Sequence, residues 1–259
     1  MAEAEPLLAG FGAVRYGVPA DPPRMLLLHG FTGDCRDWSF WPDDAMPAIA
    51  VDLPGHGGST PPSGGFAEEI ARLLAALPPS VDRLAGYSLG GRTALALIAA
   101  APSRFVAATI VSAHPGLGAG VAREARRRAD RRWIELLRSR GIEAFVDAWE
   151  RQPLFRTQVD LAAAVRAEQR RRRLNQSAEG LAASLRCFGL AEMPETGKAI
   201  SDWPGRLCWL VGERDQRFVA TADRIARLRP ATEVRRVAGA GHNLLLEAPG
   251  AVLRACLEP

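Results

Sequence analysis

The chain has 259 residues, 47% of them apolar and 24% charged, with a net charge of +4 at pH 7, a composition that suits one large soluble domain or one domain with a sizeable insertion. No apolar run reaches the roughly 20 residues that a membrane span needs. The four cysteines, Cys35, Cys187, Cys208 and Cys256, lie far apart without C-x-x-C spacing, which speaks against a metal site or a disulfide framework. The stretch Met1–Leu8 is acidic and has no long apolar core, so no signal peptide is expected and a reduced, cytoplasmic setting is the default.

In chain order, Phe11–Val18 reads as an edge strand. Met25–His29 (MLLLH) and Ala48–Asp52 (AIAVD) read as buried strands, and Gly65–Leu77 as a helix that stops before Pro78. Arg83–Tyr87 is the next strand, Leu89–Ala101 an alanine-rich helix ending at Pro102, and Ala108–Ser112 another strand. From about Gly116 to Ser201 no strand is legible. Three or four helices are expected there, over Val121–Arg140, Ile142–Gln152, Asp160–Leu174 and Gly180–Leu190. Strands return at Leu207–Val211 and Glu233–Val237, with helices over Ala220–Leu228 and Ala248–Leu257. Continuous apolar strands alternating with helices indicate a mostly parallel sheet covered on both faces. The expected organisation is an α/β core of residues 1–115 and 201–259, with a helical cap insertion over 116–200. The cap lies over the carboxyl ends of the strands, where open α/β sheets bind ligands.

The charge is unevenly placed. Between Pro115 and Lys198 there are 17 basic and 11 acidic residues, and Lys198 is the only lysine among them. No nucleic-acid motif accompanies these arginines. A pocket for a carboxylate-bearing small molecule explains them at least as well.

The strongest local signal is Gly86-Tyr87-Ser88-Leu89-Gly90-Gly91, a G-x-S-x-G placed directly after a strand and before a helix. Its glycines permit a turn too sharp for a residue with a β-carbon. The turn lifts the Ser88 hydroxyl above the sheet, at the positive end of the following helix. A serine hydroxyl needs a neighbouring base at neutral pH. Among the four histidines, His242 follows the last strand, and Asp215 follows the strand before it. The order Ser, Asp, His is the one expected for an α/β-hydrolase fold, with Asp215 fixing the tautomer of His242. Glu213 competes for the acid role but lies nearer the strand end. In His29-Gly-Phe-Thr-Gly33 the Phe31 amide is the expected oxyanion donor, paired with that of Leu89. His29 and His56 read as structural, and His114 reads equally as structural or pocket-lining.

These motifs run from Leu26 to Pro249, and over that span the chain resembles the 2-succinyl-6-hydroxy-2,4-cyclohexadiene-1-carboxylate synthases, the MenH family of menaquinone biosynthesis. HGFTGD (29–34), VDLPGHGGS (51–59) and GYSLGG (86–91) are shared by many related hydrolases. More specific are Arg92 after the elbow, HPGL (114–117), Trp149-Glu-Arg-Gln-Pro-Leu-Phe155, Gly180–Arg186 and Gly212–Phe218. The resemblance implies a lyase that removes pyruvate from 2-succinyl-5-enolpyruvyl-6-hydroxy-3-cyclohexene-1-carboxylate. Triad-activated Ser88 acts as the base, and no metal or cofactor is needed. It also implies Arg92, Arg126 and Arg173 as carboxylate-binding residues, with Tyr87 and Trp149 shaping the pocket. The expected partner is a small polycarboxylate, with no nucleic acid and no membrane insertion. Two positions depart from the family pattern: Arg217 stands where a lysine is common, and Leu244-Leu245-Leu246 where a second histidine is common. A carboxylesterase or carbon–carbon bond hydrolase using Ser88 as nucleophile, and a non-catalytic ligand receptor, are the competing readings.

Overall fold

The computed structural model describes Leu8 and residues 10–258. The expectation about the start of the chain therefore lies, except for Leu8, outside the described residues. Seven strands form one sheet: β1 (Ala13–Tyr16), β2 (Met25–Leu28), β3 (Ala48–Val51), β4 (Arg83–Tyr87), β5 (Ala107–Val111), β6 (Arg206–Gly212) and β7 (Glu233–Val237). Their spatial order is β1-β3-β2-β4-β5-β6-β7. Among the described residues, only β1 runs antiparallel to its neighbour in the sheet; the other strand pairings are parallel.

Alternation along the strands divides the core in two, because successive side chains of a strand point to opposite faces. Leu26, Leu28, Ile49, Val51, Leu84, Ile110 and Trp209 face one side. There they meet α1 (Phe66–Ala76), α2 (Leu89–Ala100) and, further along, α6 (Gly197–Asp202) and α7 (Gln216–Leu228). Met25, Leu27, Ala48, Ala50, Ala85, Val111 and Leu210 face the other side, against a short 3-10 helix at Cys35–Trp38, α8 (Leu244–Glu247) and α9 (Pro249–Leu257). Helix α2 is buried on nearly every side, as expected for a helix packed in the middle of a covered sheet. Edge strand β7 is only partly buried, and Arg235 and Arg236 along it pair with Glu233, Glu258 and Asp223. Charge of this kind keeps an open sheet edge from pairing with another chain.

Between β5 and α6 the chain forms α3 (Val121–Glu150), a 3-10 segment (Pro153–Asp160), α4 (Ala163–Leu174) and α5 (Ala178–Phe188). These elements hold a third apolar cluster of their own, built on Leu137, Phe145, Val146, Trp149, Phe155, Leu181 and Leu185. Helix α3 is broken at Gly141, whose φ of 74° lies in the left-handed region, where glycine alone is unstrained. The expected interruption between Arg140 and Ile142 therefore becomes a kink.

Several boundaries differ from expectation. The helix expected from Asp160 starts at Ala163, because Pro153 opens a 3-10 segment that runs to Asp160 and extended backbone follows at Leu161 and Ala162. Helix α5 starts two residues early because the Ser177 hydroxyl caps it, accepting from the Gly180 N–H at 3.1 Å. Helix α7 begins at Gln216 rather than Ala220, directly after Asp215. The short α6 and α8 were not expected, and α6 straddles the anticipated 200/201 boundary while its Ile200 packs into the core. Among the described residues no helix is long and apolar enough to cross a membrane.

Two glycines make the β4–α2 turn possible. A β-carbon on Gly90 would overlap the Leu28 carbonyl of β2, and one on Gly86 would overlap the Gly90 carbonyl. Backbone has no room to yield there, so Gly90→Ala is expected to destabilise the protein by about 3 kcal/mol or more. Urea unfolding of the purified variant measures this; a loss within about 0.5 kcal/mol, the range of an ordinary surface substitution, would contradict the packing.

Candidate active site

Ser88 occupies the turn with φ 50° and ψ −103°. Such backbone is rare for a residue with a β-carbon and costs of order 1–3 kcal/mol. It is held by the Ser88 N–H donating to Val111 of β5 at 2.8 Å and by the Ser88 carbonyl accepting from Arg92 at 3.0 Å. The hydroxyl therefore stands at the amino end of α2, where the first-turn amides have no acceptor within the helix.

The ends of β6 and β7 bring the other two groups to the same place. Gly212 closes β6 with no space for a side chain, since a β-carbon would overlap the Ala240 and Gly241 carbonyls. This close approach sets Asp215 beside His242. The His242 Nδ1 lies 2.7 Å from Asp215 Oδ2, and its Nε2 lies 3.2 Å from Ser88 Oγ. With Nδ1–H donated to the carboxylate, Nε2 is left as an acceptor for the serine hydroxyl. His242 is 2% exposed and Asp215 8%. Tyr87, Phe155 and Phe218 surround the imidazole, their ring centres 4.5–6.5 Å away. Glu213 is turned elsewhere: its carboxylate accepts from the Gly239 N–H at 3.2 Å.

Ser88 opens into a cavity of about 540 Å³ between the sheet and the cap. All ten residues singled out from the sequence line it: Ser88, Asp215, His242, Phe31, Leu89, Tyr87, Arg92, Arg126, Trp149 and Arg173. Trp149 stacks on Phe145 and meets Phe31 and Trp133 edge-on, at centroid distances of 5.1–5.3 Å, so an aromatic wall reaches from α3 to the loop after β2. Tyr87 packs so closely on Gly30 that a β-carbon there would enter its ring. Burial pushes the Tyr87 phenol well above its ordinary pKa, so it stays a neutral donor.

The arginines are not equivalent. Arg126 makes a two-pronged contact with Asp130, at 3.0 and 2.9 Å. Arg173 is buried, donates to Glu150 at 3.0 Å and lies over the Phe155 ring. Arg92 instead donates to the Phe188 carbonyl at 2.7 Å, and burial, together with the Arg126 charge, pushes its pKa down to about 9. The sequence reading missed Asp130 and Glu150. The i,i+4 spacing of Arg126 and Asp130 on one helix was a usable signal; the Glu150–Arg173 pair depends on how α3 and α4 pack. Arg172 was missed as well. It joins the cap to the core by pairing with Asp34 and, at 2.9 Å, with Asp37. Beside it, Gln176 accepts from Gly57 and donates to Gly33. Burial alone would lift the Asp34 carboxyl, but the Arg172 hydrogen bond and charge hold it below its ordinary value.

His29 and His56 have structural partners. His29 is fully buried, donates from Nδ1 to the Gly30 carbonyl at 2.7 Å and accepts at Nε2 from Leu53 at 2.9 Å. His56 Nε2 accepts from Thr32 at 3.3 Å. His114 lines the cavity. Asp34, Cys35 and Asp52 present ligand atoms within 4.8 Å of one another, but both carboxylates already accept N–H donors. Burial also pushes the Cys35 thiol far above its ordinary pKa. This cluster ties loops together rather than presenting free ligands.

The sequence profile of the alpha/beta hydrolase family matches residues 25–255. A 2-succinyl-6-hydroxy-2,4-cyclohexadiene-1-carboxylate synthase of Salmonella agona (strain SL483) is 35% identical over 249 residues, which cover 91% of this chain and 94% of that protein. The chain belongs to the alpha/beta hydrolase family, among the 2-succinyl-6-hydroxy-2,4-cyclohexadiene-1-carboxylate synthases. The solved structure of MenH from S. aureus superposes with a TM-score of 0.85 at 28% identity, covering 92% of this chain and 94% of that one. A malate-bound thermophilic esterase from Thermogutta terrifontis gives 0.76 at 25% identity, covering 95% and 90%. The synthases and the esterase thus share one scaffold, so the fold alone does not set the reaction.

Burial also makes the site sensitive to acid. The His114 pKa falls from 6.5 to about 4, first through burial and then through Arg224, Arg217, Arg92 and Arg126. Burial, and then His29, lowers that of His56 well below 6.5. The unfolded chain takes up these protons before the folded one does. Folding stability from this source is therefore complete above the unfolded value of 6.5 and declines as pH falls toward about 4. Urea midpoints measured from pH 7 to pH 4 should fall, and fall less in His114→Asn.

Proposed function

We propose that the protein catalyses elimination of pyruvate from 2-succinyl-5-enolpyruvyl-6-hydroxy-3-cyclohexene-1-carboxylate, giving 2-succinyl-6-hydroxy-2,4-cyclohexadiene-1-carboxylate. The observation that carries the reading is the Ser88–His242–Asp215 hydrogen-bond chain on the floor of an arginine-lined cavity, in a chain 35% identical to synthases of that product.

In this reading Ser88 Oγ removes a ring proton while passing its own to His242 Nε2. The imidazolium is stabilised by Asp215, whose charge is already hydrogen-bonded to Nδ1. The electrons of the broken C–H bond delocalise into the succinyl ketone, whose oxygen faces the Phe31 and Leu89 amides. They then form the new ring double bond as the carbon–oxygen bond to the enolpyruvyl group breaks. The departing enolpyruvate takes up a proton and becomes pyruvate, which resets the triad. No acyl-enzyme forms. The substrate's three carboxylates need partners, because an unpaired buried carboxylate costs several kcal/mol. Arg92, Arg126 and Arg173 supply forks of the right shape, while Tyr87 and Trp149 shape the apolar wall around the ring.

A carboxylesterase activity is the second reading, since the same triad acts as a nucleophile in hydrolases and the malate-bound Thermogutta terrifontis esterase shares the scaffold. Pyruvate release from the enolpyruvyl substrate, followed by a coupled dehydrogenase, separates the two. Ser88→Ala and His242→Ala should each lower kcat by about 10²–10⁴, the range of general acid–base catalysis. Asp215→Asn should act in the same direction, whereas Glu213→Gln should change the rate less than about twofold, as a surface substitution does. Hydrolysis of aryl esters together with no pyruvate release would favour the esterase.

A further inference from the structure

The cavity has two basic sides, and they differ. On the side of β2, Arg172 and Arg173 are held by Asp34, Asp37 and Glu150. On the side of β5 and β6, Arg92 and Arg217 line the cavity and neither forms an ion pair among the described residues. His114 sits between them in the fold, just past the end of β5, with Arg92 on α2 and Arg217 on α7. Its Nδ1 accepts the Gly116 N–H at 3.1 Å. A neutral imidazole that accepts at Nδ1 must carry its proton on Nε2. The ring is neutral here, because burial and the charges of Arg224, Arg217, Arg92 and Arg126 hold its pKa at about 4. The corner therefore offers guanidinium charge and one neutral N–H donor, while the nearby Asp130 carboxylate, already paired with Arg126, offsets the Arg92 charge only in part. Desolvated positive charge on Arg92 that is only partly offset is costly, and an incoming anion relieves that cost.

We propose that His114 is a specificity-determining residue: held by the Gly116 N–H, it presents Nε2–H beside the Arg92 guanidinium to bind one carboxylate of the substrate on the β5–β6 side of the cavity. The assignment rests on the pyruvate-eliminating reading for its substrate, but not for the donor corner itself. It concerns an uncharged donor, so binding at this corner does not require His114 to be protonated.

Three substitutions separate binding from anchoring. Gln places an amide N–H near the imidazole Nε2 position, Asn places an acceptor near Nδ1, and Ala supplies neither. His114→Ala and His114→Asn should raise KM for the enolpyruvyl substrate by about tenfold to a hundredfold with kcat nearly unchanged, as for a lost hydrogen bond to a charged group. His114→Gln should restore most of that loss. If His114→Asn keeps the wild-type KM while His114→Gln does not, the residue merely anchors the Gly116 turn and the proposal fails. A second measurement needs no variant to fold. Long-range proton–nitrogen spectra of the wild-type protein, titrated with succinate, should show His114 protonated on Nε2 and that nitrogen shifting as succinate binds. Protonation on Nδ1, or no shift at saturating succinate, overturns the assignment. Absence of pyruvate release by the wild type would sink the lyase reading, while the succinate titration would still decide the corner.

Discussion

The site depends on one strained residue. Ser88 is held at positive φ between β4 and α2, and the hydroxyl reaches the carboxyl edge of the sheet only because the backbone turns there. The strain, of order 1–3 kcal/mol, is offset by α2, which is buried on nearly every side between the apolar face of the sheet and the neighbouring helices α1 and α6. The same constraint makes glycine necessary at 86 and 90, where backbones touch. A corresponding contact at Gly212 presses the loops after β6 and β7 together, so the Asp215–His242 hydrogen bond and the serine turn are both products of close backbone packing.

Electrostatics sets a second level of organisation. The cap carries most of the excess arginine, yet much of that charge is already paired in the free protein. Asp130 holds Arg126, Glu150 holds Arg173, and Asp34 with Asp37 holds Arg172. Such pairs orient the guanidiniums and offset part of their desolvation. A substrate carboxylate that meets Arg126 or Arg173 exchanges one anionic partner for another, so these residues give shape and selectivity more than net affinity. Arg92, whose pKa burial pushes down to about 9, is the arginine for which a new anion changes the balance most. The aromatic wall of Trp133, Phe145 and Trp149 then leaves the remaining cavity apolar enough for a carbocyclic ring.

What the sequence by itself determined is what depends on local chemistry. Most of the seven strands are apolar-rich runs bounded by breakers, whereas β7 carries three charged residues. The serine turn is a contiguous motif, and the chain order of Ser88, Asp215 and His242 follows from strand and loop order. Gly141 marked the kink in α3 because a glycine in a helical run changes backbone freedom wherever it occurs. These features were legible because their causes lie within a few residues of one another. The start of α7 was misjudged because Gln216-Arg-Phe-Val219 has no strong helical pattern of its own; the helix begins directly after Asp215, whose backbone carbonyl accepts from the Phe218 and Val219 N–H groups.

Only the tertiary structure decided which arginines are free and which are neutralised, because the partners of Arg172 and Arg173 lie on other elements, in Asp34 at a separation of 138 residues and in Glu150 at 23. It also decided that Glu213 turns away while Asp215 turns in, and that the Nδ1 of His114 is occupied. Ion pairing and tautomer choice are contact properties that fall off within a few ångströms. A one-dimensional pattern of charges records how much charge a segment carries, but not which charges folding brings within that distance.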